Sequence, residues 1–114
     1  MTNDKKNDFL KLSNGEPIEY ITNKSEFYGL EFYVDSRTLI PRDETEIIVD
    51  KALSEIKKSG NKTTLIDIWT WSWCIPISIA QNNLSKNNIN EIFAIDISSK
   101  ALEVTEKNIE KYNL

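Results

Sequence analysis

Hydrophobic and polar positions follow two different periods along this chain. Between Ile21 and Pro41 the residues are rich in Phe, Tyr, Val and Ile, which favour strands, and a glycine interrupts the run at Gly29-Leu30. We interpret this stretch as a β-hairpin that turns at Gly29-Leu30. A period of two places Phe32 and Val34 on one face of its second strand, so we expect that face to be buried.

A helical period begins after Pro41, because proline ends the preceding extended run. Asp43 followed by Glu46 resembles a capping box, in which two side chains satisfy the first N–H groups of a helix. Apolar residues then recur at steps of three and four, at Ile48, Val49, Ala52, Leu53 and Ile56. We expect the helix to bury this stripe and to end near Ser59-Gly60, since glycine readily closes a helix.

The second half of the chain alternates between short apolar runs and amphipathic segments. Residues 64–68 and 91–96 are apolar and β-branched, which is typical of strands buried on both faces of a parallel sheet. Residues 74–81 between them predict a helix, with Pro76 tolerated in its first turn, and residues 87–90 predict a loop. This order forms a βαβ unit, for which a right-handed connection is expected.

A last helix follows the second strand. Ser98 or Ser99 is suited to cap its first turn, because a serine hydroxyl accepts from a free backbone N–H there. One face is expected to carry Leu102, Thr105, Ile109 and Tyr112. On the other face, Glu103 and Lys107 stand four residues apart, which predicts an ion pair.

Composition narrows the chemistry that is available. The chain has 114 residues, no His and one Cys, Cys74. This length allows one small domain, and the missing His excludes Ser-His-Asp and Cys-His nucleophiles, while too few soft ligands remain for zinc. Cys74 is expected to be a small buried hydrophobe. A net charge of −4 with scattered basic residues argues against a broad nucleic-acid-binding surface.

The sequence shows no sign of a membrane protein. No apolar run approaches the ~18 residues needed to span a bilayer. The polar start of the chain, residues 1–8, lacks the apolar stretch of a signal peptide. We therefore expect a cytoplasmic location without membrane contact.

The βαβ unit predicts a ligand site at the ends of its strands. The loop after the first strand meets the start of a helix, where free N–H groups favour a negatively charged ligand group. Asp96 ends the second strand, 23 residues beyond Trp73, which agrees with the usual offset of about 20 residues to a carboxylate that binds ribose. An adenosine-containing cofactor is therefore expected, although the loop contains no glycine.

Five spaced motifs follow one another along the chain. The first are Gly15-Glu16-Pro17-Ile18-Glu19-Tyr20-Ile21, Glu26-Phe27-Tyr28-Gly29-Leu30-Glu31-Phe32 and Leu39-Ile40-Pro41-Arg42 with Glu44-Thr45-Glu46. The later ones are Leu65-Ile66-Asp67-Ile68 with Ser72, Cys74 and Ile75, and Ala94-Ile95-Asp96-Ile97-Ser98. In this order they resemble the motifs of the release factor glutamine methyltransferases, and the resemblance covers about residues 14 to 113. It is far more specific than a lone glycine pattern, because spaced motifs match in sequence.

The resemblance implies a partial Rossmann-like α/β fold of the S-adenosylmethionine-dependent methyltransferases, preceded by a β-hairpin. Residues 1–14 would be a polar tail left from a helical domain, 15–42 the hairpin segment and 43–114 the first part of the methyltransferase domain. The implied activity transfers a methyl group from S-adenosylmethionine to the side-chain amide of a glutamine in a peptide chain release factor. The release factor would be the partner, and direct binding of nucleic acid is not expected.

The resemblance also assigns site residues. The loop that wraps the methionine part of the cofactor would consist of Trp69, Thr70, Trp71, Ser72 and Trp73. Asp96 occupies the ribose-binding position, Asp67 the acidic position before the loop, and Arg42 a segment on the substrate side. The simpler alternatives are that Asp67 and Asp96 only cap strand ends and that Arg42 pairs with Asp43 or Glu46.

Tryptophan stands where the family has glycine at three loop positions, Trp69, Trp71 and Trp73, and the chain has no other tryptophan. Glycine there permits positive φ and close approach of the backbone to a ligand. An indole would put ~150–250 Å² of surface where the cofactor should lie, so impaired binding is expected. Our hypothesis is a decoding difference, since UGA is read as glycine in some genetic codes and as tryptophan in others. UGG codons at these positions would exclude it.

The chain also stops at Leu114, before the family's Asn-Pro-Pro-Tyr motif, which the resemblance assigns to holding the target amide. We therefore expect no catalytic residue within the chain and no turnover from it alone. The alternatives are an amino-methyltransferase that acts on a nucleic-acid base, a nicotinamide-dependent oxidoreductase, and a non-catalytic remnant.

Overall fold

The computed structural model of the protein describes residues 3–68, 72–83 and 88–114. The helices are α1 (Asn3–Ser13), α2 (Ile18–Thr22), α3 (Glu46–Ser59), α4 (Cys74–Asn82) and α5 (Ser99–Lys111). The strands are β1 (Ser25–Phe27), β2 (Leu30–Phe32), β3 (Thr63–Ile68) and β4 (Ile89–Ile95). Strands β1 and β2 pair antiparallel and β3 and β4 pair parallel, so the class is mixed α/β. None of the helices in this described part has the length and apolar character needed to cross a bilayer.

The hairpin is confirmed, but its turn lies one residue earlier than predicted. Phe27 pairs with Leu30, so the two turn residues are Tyr28 and Gly29, with φ of 52° and 74°. Positive φ at both positions is the geometry that matches the twist of the flanking strands in a two-residue turn. Phe32 and Val34 are both fully buried, as the period of two predicts.

The helix α3 ends as predicted but begins differently. Gly60 follows Ser59 with φ of 65° and closes the helix in the left-handed conformation. The predicted capping box between Asp43 and Glu46 is wrong, because a 3₁₀ turn occupies 43–45 and no side chain caps α3. Glu46 instead accepts a hydrogen bond from the backbone N–H of Tyr28 at 2.8 Å, which ties α3 to the hairpin turn.

The parallel strands are confirmed, but they are not buried on both faces. Residues of β3 alternate between half-buried and exposed, and Ile66 and Ile68 are 60% and 73% exposed. The same alternation exposes Phe93 and Ile95 on β4, which begins two residues before the predicted start. Within the described ranges only one face of this sheet packs against the core. The apolar runs therefore predicted the strands correctly, but the prediction that both faces of these strands are buried is wrong.

The helix α5 is capped as predicted, and its buried face overlaps the predicted one in part. The Ser98 hydroxyl accepts from the N–H of Ala101 at 3.3 Å. Of the predicted face, Thr105 is buried and Ile109 and Tyr112 pack against the core. The other buried residues, Ala101, Val104 and Asn108, were not predicted. The expected Glu103–Lys107 pair is also wrong, because Glu103 binds Arg37 at 2.8 Å and the Lys107 amine lies 4.3 Å from the Tyr33 ring centroid.

The hydrophobic core joins the hairpin to the βαβ unit. Its buried members are Phe27, Phe32, Val49, Ile56, Trp73, Cys74, Ile77 and Ile79. They come from both hairpin strands, α3, the turn before α4, and α4 itself. Ile48, predicted to be in the buried stripe of α3, is 53% exposed and makes no part of this core. Because the segments share one core, the hairpin holds the start of α4 in place.

Candidate functional site

The two parallel strands end side by side and open a pocket there. Ile68 at the end of β3 pairs with Ile95 at the end of β4, and Asp96 follows directly. A pocket of about 250 Å³ lies at this edge, lined by Ile68, Ile95, Asp96 and Ile97. Ligands of α/β proteins bind at the carboxyl ends of parallel strands. The pocket therefore combines apolar walls with one carboxylate at the expected edge.

Asp96 is held at this pocket by the turn that starts α5. Its Oδ1 accepts a hydrogen bond from the backbone N–H of Ser98 at 2.8 Å, and Ser98 in turn caps the helix. The carboxylate is half-buried, so it also faces solvent. This hydrogen bond fixes the direction of the carboxylate.

Asp67 lies on the neighbouring strand, and its carboxyl loses its proton at a higher pH than an ordinary aspartate. Burial disfavours its charged form, and the carboxylate of Asp96 adds repulsion, so its pKa is raised from 3.8 to about 6. The two acids together create a negative region next to the pocket. A ligand with a positive charge would therefore be stabilised there, most strongly above pH 6.

The predicted cofactor loop is described only in part. Trp69, Thr70 and Trp71 lie outside the described residues. Ser72 is fully buried, and its backbone carbonyl accepts a hydrogen bond from Asn108 Nδ2 at 2.9 Å. The last turn of the loop is therefore held by a side chain of α5.

Trp73 occupies a conformation that glycine prefers. Its φ of 64° and ψ of 26° are left-handed, and L-residues other than glycine lose about 1–2 kcal/mol there. Its side chain is 6% exposed and belongs to the core, and its indole N–H has no partner among the described residues. Trp73 is absent from the described lining of the pocket beside Asp96.

Arg42 lies at a second pocket. A cavity of about 550 Å³ is lined by Tyr20, Leu39, Ile40, Arg42 and Thr45. Arg42 is exposed and forms no ion pair within the described part of the chain, so the simpler alternative of pairing with Asp43 or Glu46 does not hold. This pocket shares no described lining residue with the pocket at Asp96, so the structure does not place the two predicted sites in one cavity.

Sequence reasoning missed a network that links the hairpin segment to α5. Arg37 contacts Asp35 at 2.6 Å and Glu103 at 2.8 Å, and the guanidinium lowers the pKa of Asp35 to about 2. Asn108, fully buried, binds both the N–H and the carbonyl of Tyr33. The available signal was an asparagine among the apolar positions of a helix, since buried amides need partners.

Known proteins match most of this chain. A release factor glutamine methyltransferase of Flavobacterium psychrophilum is 44% identical over 101 residues, which are 87% of this chain and 34% of that protein. A protein of the same name from Borreliella burgdorferi is 40% identical over 91% of the chain. The resemblance to release factor glutamine methyltransferases is thereby confirmed. The Bacillus subtilis member of this family is 38% identical over 85% of the chain.

The similarity covers one part of these longer proteins. The chain spans about a third of the length of the curated relatives that it matches. It matches no family model. The family resemblance therefore rests on pairwise similarity and on the ordered motifs.

Proposed function

We propose that this chain supplies the S-adenosylmethionine-binding part of a release factor glutamine methyltransferase, within a Rossmann-like fold. The observation that carries the proposal is the pocket at the ends of β3 and β4, where Asp96 faces apolar walls. The names of the similar proteins support the activity, which is methylation of a glutamine side-chain amide in a peptide chain release factor.

The residues at the strand ends fit the adenosine half of this cofactor. A carboxylate accepts hydrogen bonds from both ribose hydroxyls, which neutral side chains do less strongly. Ile68 and Ile97 offer apolar contact for a base, and both side chains are largely exposed, at 73% and 100%. We assign Asp96 to the ribose hydroxyls and these two side chains to the adenine.

The negative region around Asp67 fits the other half. The cofactor supplies a methyl group on a positively charged sulphur when it is bound. Asp67 would act at a distance by its charge, and binding of a cation would lower its raised pKa and release a proton near pH 6. Trp69, Thr70, Trp71, Ser72 and Trp73 remain the proposed wrapping loop. For Trp73 the backbone would carry this role, because its side chain is in the core.

Arg42 is proposed to lie on the substrate side. The Arg42 guanidinium, which has no ion pair within the described residues, lies beside Leu39 and Ile40. It can bind a backbone carbonyl or a carboxylate of a protein while the apolar side chains pack against that protein. A peptide segment of a release factor has these groups. The alternative of a nucleic-acid base as substrate is not favoured, since the relatives are named for release factors.

Calorimetric titration tests the cofactor assignment. The chain and a variant with Trp69→Gly, Trp71→Gly and Trp73→Gly are titrated with S-adenosylhomocysteine and with NAD. We expect micromolar affinity for S-adenosylhomocysteine in the triple variant and a severe loss in the parent. Adding Asp96→Asn should weaken binding by about 10- to 100-fold, the value of a charged hydrogen-bond acceptor.

Asp43→Asn is the matched control, since it removes an exposed carboxylate outside the pocket. It should leave the affinity unchanged. Equal affinity for NAD, or an Asp96→Asn variant that binds as well as its parent, would overturn the cofactor assignment.

The substrate assignment is tested separately with the complete reading frame that contains this chain. There Arg42→Ala should raise KM for a release factor and leave the affinity for S-adenosylhomocysteine unchanged.

A further inference from the structure

The segment that leaves the hairpin runs antiparallel along α5. Glu31 contacts Lys111 at 3.0 Å near the helix end, and its carbonyl accepts from the Tyr112 hydroxyl at 2.7 Å. Six residues on, Arg37 contacts Glu103 near the helix start. Most of these contacts are exposed and are therefore individually weak. One side chain between them differs, because it is completely buried.

That side chain is the amide of Asn108. Its Oδ1 accepts from the backbone N–H of Tyr33 at 2.8 Å, and its Nδ2 donates to the carbonyl of Tyr33 at 3.0 Å. Nδ2 also donates to the carbonyl of Ser72 at 2.9 Å. The amide thus pairs with Tyr33 as a neighbouring strand would, and it uses its remaining hydrogen for a second segment.

The second segment is the turn between β3 and α4. Ser72 precedes Trp73, whose carbonyl accepts the first α-helical hydrogen bond of α4 from Ile77 at 3.2 Å. The residue after Ser72 is therefore the N-cap of α4, the helix whose N-terminus belongs to the proposed cofactor site. A carbonyl left unpaired in this buried place is unfavourable, so the turn would move to find another partner.

We propose that Asn108 is a positioning residue that fixes the turn at Ser72, and thereby the start of α4, to the segment that follows β2. It touches no proposed ligand position; it acts through the Ser72 carbonyl and through Tyr33. The proposal rests on the proposed function where it concerns ligand binding, and on the hydrogen bonds alone where it concerns the turn.

Hydrogen exchange tests the turn directly. In Asn108→Ser the shorter side chain cannot span Tyr33 and Ser72, so we expect at least about tenfold faster exchange at the N–H of Tyr33 and at the N–H of Ile77, which donates the first helical hydrogen bond of α4. Val104→Ala is the matched control, because Val104 is fully buried on the same helix and its loss weakens packing without removing these bonds. Exchange rates are compared after correction for each variant's stability.

Ligand affinity forms the second arm, measured in the chain with the three glycine substitutions. Asn108→Ser should weaken S-adenosylhomocysteine binding about tenfold, and Val104→Ala with a similar loss of Tm should change it less than twofold. Equal effects of the two substitutions, on exchange or on affinity, would overturn the proposal. If the triple variant binds no S-adenosylhomocysteine, the proposed function fails, and the exchange result still decides the role of Asn108. If Asn108→Ser does not fold, Asn108→Asp, which keeps the acceptor for Tyr33 and loses both donors, is used for both arms, with exchange then read at Ile77 and not at Tyr33.

Discussion

Replacing Trp73 by glycine and by alanine tests whether the backbone there demands glycine. Both substitutions remove the same indole, so the difference between their free energies of unfolding reports the conformational preference of the backbone. Alanine keeps the left-handed strain of about 1–2 kcal/mol, and glycine removes it but loses about 0.5–1 kcal/mol through its greater freedom in the unfolded chain. We therefore expect Trp73→Gly to be more stable than Trp73→Ala by about 0.5–1 kcal/mol.

The comparison with the parent is also informative. Truncating a buried aromatic residue costs about 3–5 kcal/mol, but the Trp73 indole N–H is buried without a partner among the described residues, and its removal returns about 1–3 kcal/mol. The net loss should be about 2 kcal/mol, less than for most buried tryptophans. Urea unfolding followed by far-UV circular dichroism gives these free energies.

Ile77 provides the control, since it is fully buried within α4, where a helical backbone favours alanine over glycine. There the order must reverse, with Ile77→Ala more stable than Ile77→Gly by about 1 kcal/mol. If alanine is the more stable substituent at both positions, Trp73 is not in the left-handed conformation and the reasoning fails. A reversal would support glycine as the residue that this turn requires.

Three further outcomes follow from burial and charge. The folded-state pKa of Asp67 is raised from 3.8 to about 6, so its ionisation destabilises the fold above pH 6 and not below about pH 3.8. In urea unfolding, Asp67→Asn should therefore add about 1–2 kcal/mol to the free energy of unfolding at pH 7, after allowance for solvent screening, and nothing at pH 3.5. A gain that is independent of pH, or one matched by the exposed Asp43→Asn, would contradict this. Burial raises the pKa of the Cys74 thiol to about 12, so Ellman's reagent at pH 8 should react only after unfolding, and rapid labelling of the native chain would disprove the burial. The exposed apolar sheet face should cause self-association in sedimentation velocity that Phe93→Lys reduces and Ile47→Lys, on α3, does not; equal effects of the two would rule out this face.

Local signals in the sequence predicted the elements that position the site. The Ser98 cap, the glycine that closes α3 and the acid at the end of β4 each depend on residues within four positions of one another. Such signals work because capping and strand ends are set by nearby backbone groups. The pocket at Asp96 follows from them, since parallel strands bring their carboxyl ends to one edge.

Contacts between residues far apart in the sequence could not be predicted from these local signals. Glu46 has the spacing of a capping box, but it binds the Tyr28 N–H 18 residues away. Asn108 reaches Ser72 over 36 residues and Tyr33 over 75. Nothing in the local pattern specifies such partners, because many polar side chains could satisfy the same backbone groups. Composition likewise could not show that one face of β3 and β4 stays exposed.

The two proposed pockets are connected through α5 although they share no described lining residue. The start of the helix holds the Asp96 carboxylate through Ser98. Its middle holds Tyr33, and Arg37 joins Glu103, so the chain that continues to Arg42 is fastened to the same rigid element. The amide of Asn108 also binds the Ser72 carbonyl, so the segment that leads to Arg42 and the turn before α4 are fastened to the same helix.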